Sequence, residues 1–153
     1  DELNAVLGLV LAQAPTRDPD LAAVLAAIQN DLFDLGADLC FPASPTEKPG
    51  ECLRLQASQA ERLEQGIDAY NARLEPLRSF VLPGGSAGSA WLHLARTVCR
   101  RAERDVVALS QAEPVNPQAV VYLNRLSDLL FVLGRIANED GKKDVLWLPG
   151  KNR

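Results

Sequence analysis

A single histidine, His93, removes most familiar enzyme chemistry from this 153-residue sequence. A di-iron helical bundle needs two Glu-x-x-His pairs, and His93 has Ala90 three residues before it. A hydrolase triad would need His93 as its base, and a lone histidine on a helix is more often a surface or satisfied residue than a catalytic one. Cys40, Cys52 and Cys99 are odd in number and far apart, and they fit neither a zinc C-x-x-C pattern nor a disulfide framework. Aspartates and glutamates are scattered as on solvated helix faces, not paired as glycoside hydrolysis requires. The chain offers no convincing nucleophile of its own.

What the sequence does offer is arginine. The run Arg96-Thr-Val-Cys-Arg100-Arg101-Ala-Glu103-Arg104 has spacings of four and three that put Arg96, Arg100 and Glu103 on one side of a helix. Arg101 and Arg104 fall on the neighbouring strip. Guanidinium forks match phosphate oxygens, so such a cluster suits a polyphosphate; a solvated face with internal ion pairs would have the same composition. A second polar cluster, Asn124-Arg125-Leu126-Ser127-Asp128, interrupts a segment otherwise rich in Leu, Val and Phe. Polar groups facing other helices must find partners, either each other or a ligand in a cavity that Asn124 and Asp128 would line. A third stretch, Phe80-Val-Leu-Pro83-Gly84-Gly85-Ser86, leads into a helix N-terminus. Backbone N–H groups there can receive an anion, although the Lys-Ser/Thr of a P-loop is missing.

The elements that must position these residues read as helices throughout, because apolar positions recur at helical spacing and β-branched alternation is nearly absent. A first helix is under way at Asp1, runs through Leu3, Val6, Leu7, Val10 and Leu11, and stops before Pro15. Asp18-Pro19 is the expected start of a second, with Leu21, Val24, Leu25, Ile28, Leu32 and Leu35 as its buried stripe to about Asp38. A loop follows from Phe41 to Gly50. Ser58 and Glu61 have capping-box spacing for a third helix, whose stripe is Leu63, Ile67, Tyr70, Leu74 and Leu77. A loop from Ser79 to Gly88 precedes a fourth helix over Ser89 to Gln111, and Asn116-Pro117 opens a fifth that reaches about Asn138. The tail, with Trp147 and Pro149, reads as irregular. The expected fold is therefore all-α, an antiparallel five-helix bundle forming a single domain over residues 1–153.

Composition sets limits on partners. A chain of this length buries roughly 70% of its unfolded surface, enough for a core without disulfides or metal. Twenty acidic against 16 basic residues give a net charge of −4, the wrong sign for a general grip on nucleic acid. No apolar run approaches the length of a membrane span. The absence of Met, with a first residue already in a helical pattern, suggests part of a longer gene product. Odd, dispersed cysteines and an Ala- and Leu-rich acidic composition point to a reducing, bacterial cytoplasmic setting, with any organelle signal lying upstream.

Four stretches in order, Asp1-Glu-Leu-Asn4, Phe80-Val-Leu-Pro-Gly-Gly-Ser86, Ala95-Arg-Thr-Val-Cys-Arg-Arg-Ala-Glu-Arg104 and Leu123-Asn-Arg-Leu-Ser-Asp128, resemble the PduO-type ATP:cob(I)alamin adenosyltransferases. That family consists of trimeric helical bundles with a four-helix core and an extra helix, and the resemblance spans essentially the whole chain. It implies transfer of the 5′-deoxyadenosyl group of ATP to the cobalt of a reduced corrinoid, giving adenosylcobalamin and triphosphate. Arg96, Arg100 and Phe80 match its catalytic positions, and Arg100 and Asn124 match positions that contact ATP. Arg96 matches an arginine that pairs with a neighbouring subunit's aspartate at the position of Asp1, across the trimer interface. Arg101, Glu103 and Asp128 would hold the arginines or a Mg²⁺ that escorts the triphosphate, with Glu103 as the metal ligand. Phe80 matches an aromatic beneath the corrin ring that displaces the lower axial ligand and eases reduction of cobalt, and Trp147 would be a further corrinoid contact. A Thr-Arg-x-Gly-Asp-x-Gly-x-Thr loop that wraps the ATP phosphates precedes the first helix in that family, and this sequence begins downstream of it. A reductase and an adenosylcobalamin-dependent enzyme would be its partners. A corrinoid-binding or cofactor-delivery protein without catalysis is the alternative.

Overall fold

The computed structural model describes residues 1–13 and 19–153. Among them the chain forms five helices, α1 (Glu2–Gln13), α2 (Pro19–Leu39), α3 (Ala57–Asn71), α4 (Ala87–Ala112) and α5 (Pro117–Ile136), and two short strands, β1 (Val81–Leu82) and β2 (Val145–Leu146). None of these helices is long and apolar enough to cross a membrane. The all-α bundle expected from periodicity is thus present. The residues expected to end α1 at Pro15 and to cap α2 at Asp18 lie outside the described residues.

Contacts close a ring of four helices: α1 packs on α4, α4 on α5, α5 on α2 and α2 on α1, while α3 lies against α5 as the extra helix. Leu3, Val6, Leu7 and Val10 of α1 are buried, the i, i+3, i+4, i+7 stripe of an amphipathic helix. The centre is filled by Leu25, Leu92, Tyr122, Leu126, Leu130 and Leu133. Running numbers show that α4 and α5 are antiparallel, since His93 stacks edge-on with Phe131 while Glu103 bonds Asn124.

Three local expectations are corrected. The N-cap of α3 is Gln56, not Ser58, and it is the Gln59 side chain that reaches back, accepting from the Gln56 N–H at 2.9 Å. The Gln59 amide nitrogen meanwhile donates to Asp31 and Asp34 of α2, so a tertiary contact selects the cap. Helix α3 also ends at Asn71, before Leu74 and Leu77; Pro76 could not have continued it. Finally, the Ser79 to Gly88 loop and the tail are not wholly irregular. Each contributes one strand to an antiparallel ribbon, with Val81 opposite Leu146 and Leu82 opposite Val145.

The carboxylates are not all on solvated faces either. Asp31 is buried and accepts from the Tyr122 hydroxyl at 2.8 Å, from Arg62 at 2.5 Å and from Gln59 at 2.9 Å. Asp38 is more deeply buried and accepts from Arg54 at 2.7 Å, from the Leu55 N–H at 2.7 Å and from Asn116 at 2.6 Å. It thereby ties the end of α2 to the loop before α3 and to the N-cap of α5. Removing one partner from a buried charge pair strands the other. Asp38→Ala is expected to lower the unfolding free energy by about 3–5 kcal/mol, measured from the shift of the urea midpoint.

Candidate functional site

Helix α4 carries most of the residues singled out by sequence. Its N-cap is Ser86, whose hydroxyl accepts from the Ser89 N–H at 3.1 Å, and its apolar stripe of Leu92, Ala95, Val98, Cys99 and Val106 faces the core. The arginines are therefore driven to the rim. Arg96 is half-buried, with its guanidinium 5.4 Å from the centre of the Phe131 ring, within cation–π range. Arg100 is exposed, and its backbone carbonyl accepts from Arg104 at 3.2 Å. Neither Arg96 nor Arg100 has a carboxylate at ion-pair distance among the described residues. Arg101 differs, because it pairs with Glu2 at the start of α1.

Across the seam, Asn124 of α5 donates to Glu103 at 2.8 Å and accepts from Arg125 at 2.5 Å. Arg125 in turn pairs with Asp128 at 3.1 Å, and Asp128 is exposed. Of the polar cluster on α5 only Ser127 is fully buried, with its hydroxyl bonded to the Asn124 carbonyl. Asn124 thus joins a network between helices and is itself half-buried.

At the other end of α4 the ribbon presents an apolar shelf. Phe80 is 76% exposed and Trp147 43%, with ring centroids 5.8 Å apart and planes tilted by 56°. Trp147 N–H donates to the Phe80 carbonyl at 2.8 Å, and the Ser79 hydroxyl donates to the Trp147 carbonyl at 2.7 Å. Leu82, Val145, Leu146 and Leu148 are exposed beside them. Contiguous exposed apolar patches mark sites of interaction with a partner or ligand. Arg96 and Arg100 lie about 14 and 20 Å along the helix axis from Ala87, at 1.5 Å per residue.

His93 and Cys99 face inward. Cys99 donates its thiol hydrogen to the Leu123 carbonyl at 3.2 Å, and burial, reinforced by Glu103, pushes its pKa up to about 12, so it is no nucleophile. His93 is 3% exposed and its Nε2 has no hydrogen-bond partner. Burial, and next the positive charge of Arg96, hold its pKa below the ordinary value, against a smaller opposing effect of Asp144.

A model of the cobalamin adenosyltransferase family matches residues 1–137. The chain belongs to that family. A corrinoid adenosyltransferase of Mycobacterium tuberculosis is 54% identical over 157 residues, covering 100% of this chain and 78% of that protein. A cobalamin adenosyltransferase of Cupriavidus metallidurans is 49% identical over 148 residues, covering 96% and 76%. A phenylalanine-to-alanine variant of a PduO-type ATP:corrinoid adenosyltransferase from Lactobacillus reuteri, solved with cobalamin and ATP, superposes with a TM-score of 0.87 at 34% identity, covering 96% of this chain and 81% of that one.

In this member of the cobalamin adenosyltransferase family the structure brings Phe80 to Trp147 and Asn124 to Glu103, and leaves Asp1 and Arg96 without a contact to each other. Not singled out in the sequence are Asn138, Arg135 and Asp144, which bond one another at the end of α5; an arginine near the apolar end of α5 was the available signal. His93 yields a test of the inward face. An imidazole whose pKa is depressed by the fold stays neutral there, while the unfolded chain takes up a proton near its ordinary pKa of 6.5. Its contribution to stability is therefore complete above that pH and is lost as pH falls toward the folded value. His93→Gln is expected to flatten the acid-side fall of the urea midpoint between about pH 7 and pH 5; an unchanged slope would assign that fall to the carboxylates.

Proposed function

We propose that this chain transfers the 5′-deoxyadenosyl group of ATP to the cobalt of a reduced corrinoid, releasing triphosphate. The observation that carries the reading is the pair of arginines without carboxylate partners among the described residues, Arg96 and Arg100, on the helix that carries the Glu103–Asn124 bond and whose entry follows the Phe80 shelf. Family membership and the likeness to the cobalamin- and ATP-bound Lactobacillus structure support it. Reduced cobalt supplies the electron pair that attacks C5′ of ATP while the C5′–O bond breaks. The absence of a protein nucleophile, with Cys99 buried and protonated and His93 enclosed, agrees with chemistry that resides in the cofactor-like substrate. Negative charge develops on the leaving triphosphate, and preorganised cations aimed at it give the protein its largest contribution.

Arg100 and Asn124 are assigned to the phosphates, and Arg101, bound to Glu2, helps align the start of α1 with them. Among the described residues no group of three or more His, Cys, Asp or Glu could seat a metal unaided. Glu103 would hold Mg²⁺ together with the phosphates, in the manner usual for this ion. Phe80 and Trp147 are assigned to the corrinoid, with Phe80 displacing the lower axial ligand so that a four-coordinate Co(II) state forms before reduction. The working form is a homotrimer in the bacterial cytoplasm. Arg96, whose partner within the chain is the Phe131 ring, then meets the carboxylate of a neighbouring subunit's Asp1, which completes a site shared between subunits.

Anaerobic mixing of the full-length protein with cob(II)alamin and ATP, followed by a strong reductant, should give light-sensitive adenosylcobalamin; corrinoid binding without product would instead identify a carrier. Arg100→Ala is expected to cost about 2–4 kcal/mol of transition-state stabilisation with the fold retained, read as a fall in kcat/KM. Near-normal turnover would remove Arg100 from the site. Phe80→Ala should keep the fold and the affinity for ATP and lose the four-coordinate Co(II) spectrum.

A further inference from the structure

Phe80 cannot place itself. It is largely exposed, and the ribbon that presents it has two residues in each strand. What fixes that ribbon is a buried polar clamp at the end of α5. Asn138 is fully buried. Its Oδ1 accepts from the Ser86 N–H at 2.9 Å, and its Nδ2 donates to the Gly84 carbonyl and to Asp144 Oδ1, both at 3.2 Å. Asp144 Oδ2 accepts from Arg135 Nε at 2.7 Å in an ion pair whose side chains are 7% and 3% exposed. A second arm of Arg135 donates to the Glu75 carbonyl at 3.0 Å. One cluster therefore grips the segment before Phe80, the turn after it, and Asp144, the residue just before the strand that leads to Trp147.

The backbone is shaped to admit these side chains. Gly85 has φ +94°, and a Cβ there would lie 2.4 Å from Asn138 Oδ1. Gly141, with φ +81°, leaves room for Arg135 and Asp144, which a Cβ would approach to 3.0 and 3.2 Å. A half-satisfied buried network costs more than an apolar one, so its completeness here gives it directional force. The ribbon has no comparable anchor in the apolar core, since β1 and β2 are half-exposed or exposed along their length.

We infer that Asn138, with the Arg135–Asp144 pair behind it, is a positioning residue for the Phe80 shelf and so controls the cobalt end of the reaction without touching either substrate. The inference rests on the assignment of Phe80 to the corrinoid. It separates two ends of α4: loss of the clamp should let the shelf shift while the Arg100–Asn124 rim is unaffected.

The test uses the full-length protein with cob(II)alamin and ATP. Asn138→Ala removes the clamp from the α5 side, and Gly85→Ala drives a methyl into it from the exposed turn. Folded Asn138→Ala or Gly85→Ala protein is expected to bind ATP with unchanged affinity, to lose most of the four-coordinate Co(II) signal, and to turn over on the order of ten- to a hundred-fold more slowly, as misplacement by about 1 Å does. A folded variant with the full Co(II) signal overturns the inference, as does parallel loss of ATP affinity and signal. If Asn138→Ala does not fold, Gly85→Ala decides by the same readouts. Phe80→Ala run alongside distinguishes the two levels: if it retains the signal, the assignment of Phe80 fails; if it loses the signal while the clamp variants keep it, only the positioning role fails.

Discussion

Everything in this molecule is arranged around the line where α4 and α5 meet. Small side chains at Ala95, Cys99, Ala119 and Gly134 are buried along it, and they allow the two backbones to approach closely enough for the Cys99 thiol to reach the Leu123 carbonyl. Leucines at 92, 123, 126, 130 and 133 fill what remains, at the density that makes interiors intolerant of displacement. With the seam closed, any residue of α4 too polar for the core must emerge on the rim. The placement of Arg96, Arg100 and Glu103 follows from packing before any ligand is considered, and a rim fixed by packing needs no reorganisation when charge develops beside it.

Charge is sorted in two opposite ways. The side chains of Asp31, Asp38 and Asp144 are buried, and each accepts two or more hydrogen bonds from other side chains or backbone, as an ionised group removed from water must. They act as rivets between distant segments. Arg96 and Arg100 instead have no carboxylate at ion-pair distance among the described residues, although acidic residues outnumber basic ones overall. An acidic protein that leaves these two guanidinium groups uncompensated concentrates its positive potential at one rim.

The helices and the arginine and Asn-Arg-Leu-Ser-Asp segments were legible because periodicity and local spacing express them directly. Leu3 to Val10 shows its inner face in eight letters, and Asn116-Pro117 announces the start of α5 with a cap whose side chain accepts from Gln118 at 3.1 Å. What escaped was decided over long range. The α3 cap depends on Asp31 and Asp34, more than twenty residues upstream. The ribbon joins segments 65 residues apart through strands too short to show alternation. Asn138 looks like any polar residue after a helix, and only the fold reveals that Gly85 leaves space for it.

The arginines are borne by a single uninterrupted helix of 26 residues, whose N-cap Ser86 bonds the Asn138 clamp. That makes α4 a ruler: the span between its N-cap and the cations is a whole number of peptide rises, and their azimuth about the axis is set by about 100° per residue. Side chains along it can be exchanged freely without altering that measure, whereas one residue inserted between Gly88 and Arg96 would swing the guanidinium groups to another quadrant. The length and phase of this helix are thus a dimension of the site in their own right, encoded by residue count and not by residue identity.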